Sequence, residues 1–131
     1  MVLKIYLGIC VAVFLPYGLM CFVNPALLID SAGIQAISAT GTTELRAMYG
    51  GLQAAIGALA AFSLFRASLV NTFLVTLVTV TTGLLLARLV GLAIDGGYTT
   101  YTGMALGFEA VLLSSTLYFL KVMIHEAQTK P

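Results

Sequence analysis

Charge is what this sequence has least of. Asp, Glu, Lys and Arg make up 8% of its 131 residues, against roughly a quarter in an ordinary soluble domain. A water-facing surface cannot be assembled from so few charges, so lipid is the expected solvent for most of the chain. The net charge of +1 supplies no basic stripe, and no nucleic-acid partner is expected. His125 is the one histidine and sits beside Glu126 in the polar tail. A metal centre wants three or four ligands, so no metal site is expected, and no cofactor. A Ser-His-Asp or Cys-His set within the apolar segments is excluded for the same reason. Gly50-Gly51 and Gly96-Gly97 lack the strand–loop–helix context of a phosphate loop. Tryptophan is absent, so interfacial anchoring falls to tyrosines, with Tyr98 and Tyr101 fitting the outer face and Tyr6 the inner one. The two cysteines, Cys10 and Cys21, are separated by about 16 Å of helical rise and cannot bridge each other. They read as small apolar filler.

What the sequence does have is apolar length. Four segments, residues 2–23, 44–65, 71–94 and 101–124, are each long enough to span a bilayer. Each is apolar all round, which excludes the alternating pattern of a barrel strand. The expected fold is an all-α integral membrane four-helix bundle occupying 1–131 as a single domain. The first segment follows Lys4 and is not succeeded by a small-x-small cleavage site, so it is expected to be retained rather than removed as a signal peptide. Pro16 and Gly18 predict a kink in its outer half. Asn24-Pro25 reads as a cap followed by a first-turn proline. Residues 26–30 are too short to span and predict a short interfacial helix stopping near Gly33. Ser38 to Thr43 reads as loop, with Thr42 or Thr43 capping the second helix and Glu44 in its first turn. Asp95-Gly96-Gly97 should end the third helix. The threonines of that helix, among them Thr76, Thr79 and Thr81, are expected to bond back to the preceding turn. Lys4, Arg66, Lys121 and Lys130 fall on one side of four alternating spans, and Asp30 and Asp95 on the other. Positive-inside then puts both termini in the cytoplasm.

Glu44, Arg46, Arg88, Asp95 and Glu109 break the apolar pattern, and all map to the outer half. Intramembrane charges cost about 2.5–3.5 kcal/mol each on insertion scales and are usually paired or functional. Glu109 lies about 12 Å into its helix, Arg88 about 10 Å, and Gln53 about 13 Å, so three polar groups reach one level. Arg46, Tyr49, Gly50, Gln53 and Gly57 share a face by their i+3/i+4 spacing. Arg88 is expected to pair with Glu109, and Arg46 with Glu44, Asp95 or Glu109, because the guanidinium fork suits a carboxylate. Gly103-x-x-x-Gly107 and Gly83-x-x-x-Ala87-x-x-x-Gly91 are patterns that let helices approach closely, as are Gly50-Gly51, Gly57 and Ala61.

The string Glu44-Leu45-Arg46-Ala47-Met48-Tyr49-Gly50-Gly51-Leu52-Gln53 resembles the start of the second helix in bacterial four-span proteins catalogued as domain of unknown function 4345, which are loosely similar to DoxX-like membrane proteins. Arg88-Leu89-Val90-Gly91, Asp95-Gly96, Glu109 and the Asn24-Pro25 break extend the resemblance over nearly the whole chain. It implies the four-span fold and marks Glu44, Arg46, Tyr49, Arg88, Asp95 and Glu109; it implies no activity.

Three functional readings stand beside one another. In the leading one, Glu44, Arg46, Tyr49, Gln53, Arg88, Asp95 and Glu109 form a charged outer-half cavity for a lipid, a quinone or another small amphipathic molecule. The same residues serve equally as a structural charge network. In the second, the chain is a non-catalytic accessory subunit of a larger membrane complex, or a homo-oligomer, joined through its small-residue faces. In the third, it is an enzyme with Glu109 as general acid or base and arginines stabilising an anion, the least favoured reading because perturbed charges inside membranes are commonly structural.

Overall fold

A computed structural model describes residues 1–129. They are helical, with no strand among them, and contain four helices long and apolar enough to cross a membrane. Residues with large apolar side chains, among them Ile9, Phe62, Phe65 and Val111, face outward along these helices. In water such surface would be an aggregation patch; in a bilayer it is the expected lipid-facing coat. The chain divides into two compact units, Met1–Val70 and a second from Asn71 onward. Lys130, one of the residues used above to orient the chain, lies outside the described residues.

The first unit is a helix pair with a short cap. Helix α1 (Val2–Val23) runs unbroken through Pro16 and is about 33 Å long, enough for the hydrocarbon core. Helix α2 (Leu27–Ala32) is the short helix expected after Asn24-Pro25. It stops at Gly33, whose φ of 68° is the left-handed conformation that favours glycine. Next come α3 (Ala39–Leu45), a π-helical stretch (Arg46–Gly51) and α4 (Leu52–Phe65), which join end to end as one span of 27 residues.

That span begins earlier than its sequence suggested. Ser38, and not Thr42 or Thr43, is the cap: its hydroxyl accepts from the Gly41 amide at 3.0 Å. The two threonines turn their hydroxyls back to Ser38 and Ala39 carbonyls instead. A small, polar stretch reads as loop when judged on composition alone, yet Ser38 suffices to start the helix.

Helices α1 and α4 pack antiparallel at backbone distance. A Cβ added at Gly50 would lie 2.7 Å from the Cα of Phe22, and one at Gly57 would lie 2.8 Å from the Cα of Leu15. A Cβ at Gly18 would collide with the backbone nitrogen of Ala54. Three glycines on two helices therefore set the approach, as small residues do where no water drives association. Cys10 and Cys21 are buried and free, as filler should be.

The second unit is a helical hairpin. Helix α5 (Val70–Asp95) follows a single 3₁₀ turn (Ala67–Leu69), and helix α6 (Thr100–Thr129) extends past the expected end at Ile124. Gly96, with φ of 66°, ends α5, and its amide donates to the Leu92 carbonyl. Thr99 caps α6 through the Thr102 amide. Hydroxyls bond back one turn, as expected in lipid: Thr79 to Val75, Ser114 to Ala110 and Thr116 to Leu112. The small-residue patterns of this unit play a different part from those of the first. A Cβ at Gly83 or Gly107 would meet nothing within 4 Å, and at Gly91 only the Asp95 carboxylate.

Candidate functional site

The expected polar residues fall into two groups, one in each unit. In the second unit, Arg88 on α5 and Glu109 on α6 pair as anticipated. Arg88 Nη2 donates to Glu109 Oε1 at 2.7 Å, and Nε lies 3.2 Å from both carboxylate oxygens. The hairpin makes this meeting possible: Arg88 is seven residues before the end of α5, and Glu109 is nine after the start of α6. Those offsets correspond to about 10 Å and about 13 Å of rise from a four-residue connection. Glu109 is 5% exposed. The facing guanidinium, with its planar fork, matches both oxygens of this enclosed carboxylate. Asp95 is exposed at the end of α5, and its Oδ2 folds back over Gly91.

In the first unit, Arg46 takes a partner other than the carboxylate expected for it. Its Nη1 donates to the carbonyl oxygens of Phe22 and of Val23, the latter at 3.0 Å. The reason lies in the chain after α1. The last carbonyls of a helix have no intrahelical donor. Pro25 has no N–H to offer. The Ala26 amide donates to Asn24 Oδ1, and the Leu27 amide to the Asn24 carbonyl. The amides that would continue the helix are thus diverted into the turn, leaving Phe22 and Val23 to be satisfied from elsewhere. A cation there also complements the negative end of the helix dipole. Glu44 is exposed, and no carboxylate among the described residues lies within ion-pair distance of Arg46.

Across the π-helical stretch, Arg46, Gly50, Ala54 and Gly57 meet α1 at the i+3/i+4 spacing of a single helix face. Gln53 and Tyr49 are half-buried beside this line. The Gly50-Gly51 pair was the one sequence signal for the irregularity, because adjacent glycines mark places where a helix ladder is easily disturbed.

Beside Arg46 the turn after α1, the loop after α2 and the start of the second span enclose a cleft of about 310 Å³. Pro25, Ile29, Ile34 and Leu45 give it apolar walls, and Asn24, Gln35 and Thr42 add neutral polar groups. Arg46 is the single charged residue lining it. The loop's contribution was not legible beforehand, since Ile34, Gln35 and Ala36 carry no pattern. No cluster of three or more His, Cys, Asp or Glu that could hold a metal occurs among the described residues.

No curated protein and no solved structure matches the chain. A family model does match, over residues 2–120, which takes in both the Arg46 cleft and the Arg88–Glu109 pair: the chain belongs to the family described as Domain of unknown function (DUF4345).

Proposed function

We propose that this protein is a bacterial inner-membrane binding protein, with both termini cytoplasmic, that holds a lipid, a quinone or another small amphipathic molecule in the cleft beside Arg46. The observation that carries this reading is the cleft itself: one cation set among apolar walls, in a chain otherwise coated for lipid. Its volume is at the lower end of small-molecule sites, suited to a head group and a short length of chain. Extraction into mild detergent and native mass spectrometry tests it. The intact protein should carry a bound mass below about 1 kDa, small-molecule scale by its cleft volume. Ala36→Phe, which puts an aromatic ring into the cleft wall, should lose that mass. An empty wild type, or the same bound mass in both proteins, would contradict the reading.

The enzyme reading of Glu109 loses support because both of its oxygens face Arg88. An accessory-subunit role is favoured by one observation, the open space above Gly83 and Gly107. Purification as a lone monomer would remove that support.

A further inference from the structure

We infer that the Arg46 cleft selects an anionic head group, a carboxylate or phosphate monoester carried on a single alkyl chain; this rests on the binding role proposed above and specifies its ligand. Hydrogen-bond donors outnumber acceptors around Arg46. Arg46 has five N–H donors and no acceptor. Nη1 is committed to the Phe22 and Val23 carbonyls, while Nε and Nη2 have no partner among the described residues. Asn24 spends its Oδ1 on the Ala26 amide, leaving its two Nδ2 donors over. Thr42 spends its hydroxyl proton on the Ser38 carbonyl. Gln35, exposed on the loop, adds two further donors and one acceptor. The lining therefore has donors in excess and a formal charge of +1, with no described carboxylate within ion-pair distance of it.

An occupant that brings acceptors and negative charge completes such a site. A neutral alcohol or amine would compete for the few acceptors left. A guanidinium with a free edge recognises carboxylate and phosphate oxygens in pairs. The chain has a route as well. Ile29 in the wall is 42% exposed, so an alkyl tail leaves the head group along this apolar side chain and passes into lipid. At about 310 Å³ the cleft holds a head group and the first part of one chain.

Equilibrium dialysis of the full-length protein in non-ionic detergent, with empty micelles as blank, tests this using radiolabelled decanoate, decanol and acetate. Wild type should bind decanoate at least about tenfold more tightly than decanol, the scale of one charge-assisted hydrogen bond. Arg46→Gln should lose about that factor for decanoate and leave decanol unchanged. Because Arg46 also satisfies the end of α1, Gln35→Glu is the second variant: it adds a carboxylate to the lining from an exposed loop. It too should weaken decanoate and spare decanol. Acetate binding as well as decanoate, with the same loss in both variants, would keep the anionic head group, with a free acid as its source, and overturn the alkyl chain. Equal binding of decanoate and decanol in all three proteins would overturn the anion inference and leave an amphiphile site standing. No protein-dependent binding of any probe would remove both.

Discussion

The guanidinium of Arg88 meets the carboxylate of Glu109 across the α5–α6 hairpin, with Nη2 2.7 Å from Oε1 and Glu109 almost wholly enclosed. Removing either partner leaves the other as an uncompensated charge. Arg88→Ala and Glu109→Ala should each destabilise the protein by about 3–5 kcal/mol, the scale for breaking a buried pair. Removing both should cost less than the two single losses added together, because the double variant strands no charge. Denaturant titration in mixed micelles followed by circular dichroism measures this. Simple additivity would show that the two residues act independently.

The glycines divide into two sets with opposite expected responses. Gly50→Ala places a methyl group 2.7 Å from the Cα of Phe22 and must push α1 away. A loss of about 1–3 kcal/mol is expected from such overpacking. Gly83→Ala and Gly107→Ala meet nothing within 4 Å. They should be neutral or gain about 0.5–1 kcal/mol from helix propensity. Cys10 and Cys21 are 2% and 1% exposed, so their labelling by a thiol reagent reports opening of the first unit. Gly50→Ala should hasten that labelling and Gly83→Ala should not.

Two caps can be removed separately. Ser38→Ala deletes the hydroxyl that accepts from Gly41 and should cost about 1 kcal/mol. Arg46→Gln should cost about 1–2 kcal/mol through the Phe22 and Val23 carbonyls, with Arg46→Lys recovering part of it as a cation at the same helix end. A Gln variant as stable as the Lys variant would show that charge plays no part there. Thermal unfolding followed by cysteine labelling reads all three variants.

These contrasts mark where the sequence was informative. Apolar length fixed the four spans, and Asn24-Pro25 with Gly33 fixed the short helix between the first two. Arg88 and Glu109 could be paired because both depths count from one short turn, and a hairpin keeps such counts in step. For Arg46 the same counting started from the wrong residue: its helix begins at Ala39 and not near Glu44, and changes to π geometry at Arg46. Charge matching also misjudged Arg46, because its partners are backbone carbonyls, which no side-chain pattern encodes. The diverted amides after Pro25 were the available clue, and they become visible only when each backbone group of the turn is accounted for.

The most direct measurement is an experimental density map of the protein crystallised from a lipid mesophase, inspected between Pro25, Ile34 and Arg46. The account predicts non-protein density in the cleft, with its polar end within hydrogen-bond distance of Arg46 and its length running out past Ile29. A cleft closed by its own side chains, or filled only by ordered water, would contradict it.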